Sequence, residues 1–144
     1  MTRVLIIDDE APIRLLCRVN LEAEGMEVVE AADGAAGIAQ ARSERPDVVL
    51  LDVMMPRLDG WEVADALLRD ELTKEIPIIF LTARAEVRDR ARGLDIGGVE
   101  YITKPFNPLE LAPLVEDLIA RIQRDGIDLL RSEKLAELRA LSRE

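Results

Sequence analysis

Short apolar runs punctuate the chain at Val4-Leu5-Ile6-Ile7, Val48-Val49-Leu50-Leu51 and Ile78-Ile79-Phe80-Leu81. They are too short for buried helices and alternate with longer stretches whose apolar positions recur every three to four residues. Repeated β-α units around a parallel sheet follow from that alternation. The pattern predicts strands at Arg3–Ile7, Glu27–Ala31, Val48–Leu51, Ile78–Leu81 and Tyr101–Thr103. Helices are predicted at Pro12–Glu24, Ala35–Ser43, Trp61–Asp70, Glu86–Leu94 and Pro108–Arg124. Breakers separate them: Gly25 ends the first helix, Asp33-Gly34 opens the second, Pro46 precedes the third strand and Asp59-Gly60 precedes the third helix.

In the first helix, Ile13, Leu16, Cys17 and Leu21 form the expected apolar face. Asn107, Pro108 and Glu110 supply a cap, a first helical residue and a capping-box partner for the last predicted helix. Pro113 lacks the N–H that Leu109 would need, so a kink or a late helix start is expected there. Beyond Asp125-Gly126, Ile127, Leu130, Leu135, Leu138 and Leu141 would share one side of a further helix. That face needs cover from a second copy, from the domain's own surface or from a following domain. Residues 1–124 are therefore expected to form one domain and 125–144 a helical tail, serving as a dimerisation arm or as a linker.

A chain of 144 residues suits one such domain, and no apolar stretch approaches the roughly 20 residues of a membrane span. The start lacks the apolar core of a secretory signal, so a cytoplasmic location and no membrane partner are expected. The formal charge of −10 argues against direct nucleic-acid binding by this chain. Histidine is absent, which removes His-based acid–base catalysis and most zinc sites. The lone Cys17 reads as a core thiol. Any chemistry falls to carboxylates, Thr, Lys and a metal.

In a doubly wound sheet, ligand sites lie beyond the carboxyl ends of the strands, at the point where strand order reverses. Asp8-Asp9, Asp52, Thr82 and Lys104-Pro105 each follow a strand-like run, so a strand order of 2-1-3-4-5 gathers them on one edge. Three crowded carboxylates repel one another unless a cation compensates, and Mg²⁺ suits oxygen donors. Asp9 and Asp52 are the expected direct ligands, with Asp8 acting through water and the Met54 main-chain carbonyl as another oxygen. With charge offset, Asp52 can attack a phosphoryl group to form an acyl phosphate, while Lys104 and the Thr82 hydroxyl contact its oxygens. Taken singly, each feature has a plainer reading: an acidic helix start, a loop cap, a surface lysine. Their joint placement favours the chemistry.

Val-Leu-Ile-Ile-Asp-Asp-Glu at 4–10, Leu-Leu-Asp-Val-Met-Met-Pro-Arg-Leu-Asp-Gly at 50–60, Leu-Thr-Ala at 81–83 and Tyr-Ile-Thr-Lys-Pro-Phe at 101–106 resemble the receiver domain of two-component response regulators. The resemblance covers about residues 3–122 and implies a flavodoxin-like fold of five parallel strands and five helices, here with a helical extension. It implies that Asp52 is the phosphoacceptor for a sensor histidine kinase or phosphotransfer protein, that Asp8 and Asp9 form the acidic pocket and that Pro105 is cis. Thr82 and Tyr101 would form the switch, read out on the face of the fourth predicted helix, fifth strand and fifth helix. Met54 and Arg84 stand where the family varies and would slow water attack on the phosphoryl group. A homodimer through the tail or the switch face is expected, and the chain is read as a regulatory phosphoacceptor rather than an enzyme. The alternatives are a pseudo-receiver that binds without phosphorylation and a Mg²⁺-dependent aspartyl phosphatase of haloacid-dehalogenase type. The phosphatase needs a second Asp two residues after the nucleophile, where Met54 stands.

Overall fold

The computed structural model of the protein describes residues 1–82 and 97–142. The strands are β1 (Arg3–Ile7), β2 (Glu27–Ala31), β3 (Val48–Asp52), β4 (Ile78–Thr82) and β5 (Glu100–Thr103), all parallel in the order β2-β1-β3-β4-β5. Between them run α1 (Ala11–Ala23), α2 (Gly34–Glu44) and α3 (Gly60–Arg69). After β5 come a single 3-10 turn at Pro108–Glu110, α4 (Leu111–Asp125) and α5 (Ile127–Ser142). The helix predicted at Glu86–Leu94 lies outside the described residues, as does Arg84.

Alternation along each strand divides the apolar residues between two layers. Val4, Ile6, Val48, Leu50, Ile79 and Leu81 pack with Cys17 and Leu21 of α1 and with Leu111, Val115 and Leu118 of α4. Leu5, Ile7, Val49, Leu51, Ile78 and Phe80 pack on the other side with Ala41 of α2 and with Trp61, Val63, Ala64 and Leu67 of α3. Both faces of the sheet are covered, so the central strands are apolar throughout rather than alternating with polar residues. Burial pushes the Cys17 thiol up to about 11, leaving it a neutral core group. Leu16 departs from the expected face of α1. The buried stripe runs through Cys17 and Leu21, and Leu16, one position round the helix, is exposed along with Leu15 and Val19.

Three details at the strand and helix ends differ from the sequence pattern. β3 and β4 each extend one residue further than the apolar runs, because Val53 N–H still bonds the Leu81 carbonyl at 3.1 Å. Asp52 and Thr82 are thereby buried strand residues rather than the first residues of loops. The capping box expected at Asn107 gives way to a 3-10 turn: Asn107 Oδ1 accepts from Leu109 N–H at 3.1 Å, and Glu110 N–H bonds the Asn107 carbonyl at 3.0 Å. Pro113 then falls in the first turn of α4, where an N–H has no intrahelical partner to lose. The tail is helical and turns back at Gly126, whose φ of +87° suits glycine. Ile127 and Leu130 enter the same core layer as Val99, Leu118 and Val115.

Candidate functional site

Strand register builds the site. Ile7 pairs with Leu51, Asp52 with Leu81 and Thr82 with Thr103, so Asp8, Asp52, Thr82 and Lys104 stand side by side at the carboxyl edge. β1 and β3 flank the point where the chain's winding reverses, which is where such sheets present ligand sites. Asp8 is wholly buried, Asp52 is 2% exposed and Asp9 is exposed. One carboxylate oxygen from each of the three lies within 4.8 Å of the others. Lys104 Nζ reaches across to donate to Asp52 Oδ1 at 3.1 Å and to Asp8 Oδ2 at 3.4 Å. Two backbone donors complete the frame: Met54 N–H to Asp52 Oδ1 at 3.3 Å and Glu10 N–H to Asp8 Oδ1 at 2.9 Å.

The charges are unbalanced. Burial first, and the Asp8 charge second, push the Asp52 carboxyl up to about 6 against the opposing pull of Lys104. Burial alone would lower the Lys104 ammonium, but the hydrogen bonds and charges of Asp52 and Asp8 hold it above its ordinary value. One lysine faces three carboxylates, and every remaining donor is oxygen. That donor set fits a hard dication such as Mg²⁺, which is held by carboxylates and keeps several waters.

Neighbouring residues fix this edge. Lys104 N–H bonds the Thr82 carbonyl at 3.1 Å, and the Lys104–Pro105 peptide is cis. Thr82 is 2% exposed beside Asp52's strand. The Tyr101 ring stacks on Phe80 with centroids 5.1 Å apart, and Phe80 meets Trp61 at 4.7 Å. Among the described residues the buried Tyr101 hydroxyl has no hydrogen-bond partner, and burial holds it well above the usual phenol range. Met54 presents its side chain to solvent. Gly60, read above only as part of a breaker, and Gly98 both matter to the site. A Cβ on Gly60 would strike the Asp52 carbonyl and Val53 Cα, and one on Gly98 would lie 2.6 Å from the Phe80 ring. In the sequence, only the Asp-Gly pair at 59–60 hints at the first, and nothing marks Phe80 apart from other strand residues.

Residues 4–116 match the family model of the response regulator receiver domain. The chain belongs to this family. Among curated relatives, the receiver is 43% identical to the DNA-binding dual master transcriptional regulator RpaA of Synechocystis over 86% of this chain and 52% of RpaA. It is 39% identical to the phosphate regulon regulatory protein PhoB of Escherichia coli over 97% of this chain and 59% of PhoB. Among solved structures, it resembles chemotaxis protein CheY4 of Vibrio cholerae with a TM-score of 0.74 and 34% identity, covering 81% of this chain and 98% of CheY4. It also resembles the receiver of sensor histidine kinase PA1611 from Pseudomonas aeruginosa, whose structure has magnesium coordinated in the active-site cleft. There the TM-score is 0.74 and the identity 30%, covering 83% of this chain and 98% of that one.

The receiver spans about half the length of the curated relatives it matches. RpaA is DNA-binding by name, so the expectation of no nucleic-acid partner, drawn from this chain's acidity, does not carry over to such longer relatives. Among the described residues no helix is long and apolar enough to cross a membrane.

Proposed function

We propose that this receiver accepts a phosphoryl group on Asp52 from a histidine kinase or phosphotransfer protein and passes the change on through β5. The observation that carries the reading is Lys104. Its ammonium sits between Asp52 and Asp8, residues 52 and 96 positions away in the chain, at the same edge as three carboxylates within ligand distance of one another. Asp9 and Asp52, with Asp8 through water and the Met54 carbonyl, are the groups that would hold Mg²⁺. The ion, when bound, supplies the positive charge that lets an anionic nucleophile meet an anionic phosphoryl group.

The protein's own groups account for the rest. With its carboxyl at about 6, Asp52 is mostly ionised at neutral pH and able to attack. Lys104 and Met54 N–H both engage Oδ1, and among the described residues Oδ2 makes no hydrogen bond, so Oδ2 is the attacking oxygen. An O–P bond forms as the bond from phosphorus to the donor breaks, leaving an acyl phosphate on Asp52. Lys104 then moves its ammonium from the carboxylate to the phosphoryl oxygens, and the Thr82 hydroxyl donates to them. Because Thr82 and Lys104 end β4 and begin the segment after β5, their movement is felt along β5, where Tyr101 stacks on Phe80. In this reading the phosphoryl group is held as a signal rather than turned over, and the role is regulatory.

Incubation with a small acyl phosphate and Mg²⁺, read by intact mass, tests this. Wild type should gain one phosphoryl group, lost on hydroxylamine treatment, and Asp52→Ala should gain none. Stable Mg²⁺ binding with no added mass from either a small acyl phosphate or a phosphorylated histidine donor would leave the pseudo-receiver reading. Continuous release of inorganic phosphate from added phosphate esters would favour the phosphatase.

A further inference from the structure

Two of the three acidic side chains are fixed in place, and the third is not. Asp8 is held by Glu10 N–H and Lys104, and Asp52 by Met54 N–H and Lys104. Asp9 is exposed, and among the described residues its carboxylate makes no hydrogen bond. Among the described residues only its backbone aims it. That backbone carries an unusual contact. Asp8 N–H forms the last rung to β2, bonding the Ala31 carbonyl at 3.2 Å. The Asp8 carbonyl lies past the end of the ladder and accepts instead from Arg14 Nη1, at 2.6 Å. Arg14, in the first turn of α1, is itself gripped from β2: its Nε donates to Glu30 Oε1 at 3.2 Å, and its side chain is only 17% exposed. Glu30 is steadied in turn by Arg18, whose Nε donates to Oε2 at 2.8 Å.

We infer that Arg14 is a positioning residue for the cation site: anchored on Glu30, it clamps the Asp8–Asp9 peptide and so aims the Asp9 carboxylate at the metal. The Asp8 carbonyl and the Asp9 N–H share one rigid plane, so a bond that fixes the carbonyl fixes the direction in which Asp9 leaves it. The task needs arginine. Its fork serves Glu30 through Nε and the carbonyl through Nη1 at once, and a lysine ammonium on its flexible stem cannot hold that geometry. Outer-shell partners of this kind govern how well a ligand set binds its ion. The inference rests on the proposed Mg²⁺ site.

Electrostatics alone predicts the opposite sign. Arg14 is a cation near a dication site, so its removal would strengthen Mg²⁺ binding if charge were all that counted. Titration with Mg²⁺ by calorimetry, with the Asp9 and Asp52 amide shifts as a second readout, separates the two. Arg14→Ala should raise the Mg²⁺ dissociation constant roughly tenfold, and Arg14→Lys, which keeps the charge, should also bind more weakly than wild type. Arg18→Ala, which loosens the same Glu30 but leaves the Arg14 bonds to Glu30 and to the Asp8 carbonyl in place, should weaken Mg²⁺ binding clearly less than Arg14→Ala does. Equal or tighter binding by Arg14→Ala, wild-type affinity in Arg14→Lys, or an equal loss in Arg18→Ala would each overturn the role. Failure of wild type to bind Mg²⁺ would instead remove the metal site on which it rests.

Discussion

Asp52 and Tyr101 show how single buried groups set measurable behaviour. The Asp52 carboxyl is raised from 3.8 to about 6, so the folded chain holds this proton more tightly than the unfolded chain does. Stability is therefore lost as the pH rises from about 4 to about 6, by on the order of 2–3 kcal/mol for this group. Asp52→Asn should match wild type near the bottom of that window and exceed it at neutral pH in urea denaturation. Mg²⁺ should flatten the wild-type slope and leave that of the variant unchanged. An Asp52→Asn protein no more stable than wild type at neutral pH would show that Lys104 already compensates the charge. For Tyr101 the hydroxyl, unpartnered among the described residues, carries a desolvation cost without a bond from them in return. Tyr101→Phe should be neutral or stabilising by up to about 1 kcal/mol, and a clear loss in a urea titration would mean that the hydroxyl has found a partner.

At the scale of elements, the loop from β3 into α3 offers a comparison between adjacent residues. Asp59 caps α3 in a reciprocal box, its Oδ1 accepting Glu62 N–H at 2.9 Å while Glu62 Oε1 accepts Asp59 N–H at 3.1 Å. Asp59→Ala should cost about 1 kcal/mol and leave phosphorylation of Asp52 intact. Gly60→Ala acts otherwise, because the new Cβ meets the Asp52 carbonyl and Val53 Cα, backbone atoms with nowhere to go. It should cost about 2–3 kcal/mol and slow acceptance from a small acyl phosphate; an unchanged rate would show that Asp52 does not depend on this contact. The same loop shows what a sequence can and cannot reveal. Asp8, Asp52, Thr82 and Lys104 were legible because each closes an apolar run, and strand order alone then brings them together. The reach of Lys104 to two carboxylates, the clash that awaits a Cβ at Gly60 and the Arg14 bond to the Asp8 carbonyl depend on tertiary distances that no local pattern encodes. Leu16 shows the converse: helical periodicity marks an apolar face but does not say how much of it the sheet can cover.

In the whole molecule, the helical tail is tied to the end of the sheet opposite Asp52. Arg131 donates to the carbonyls of Gly97 at 2.9 Å and Lys74 at 2.7 Å, both just before strands begin, and Lys134 pairs with Glu100 at 2.9 Å. Ile127 and Leu130, 8% and 3% exposed, fill the core layer behind them. An arm that joins two copies through Ile127 and Leu130 would first have to release them, whereas Leu129 remains exposed for contact on the other side of the helix. Burying two such side chains contributes on the order of 3–5 kcal/mol. Truncation after Gly126 should therefore lower the melting temperature markedly, and Leu130→Asp should expose the 127–142 amides to hydrogen exchange. Because no hydrogen bond or ion pair among the described residues joins the tail to Asp8, Asp9, Asp52, Thr82 or Lys104, the initial rate of Asp52 phosphorylation should stay within twofold of the full chain at a temperature where both are folded. A dimer by light scattering that survives Leu130→Asp would assign the contact to another face; one that disappears only on phosphorylation would tie release of the tail to β5, since Glu100 at its start holds Lys134 and Lys104 just past its end holds Asp52.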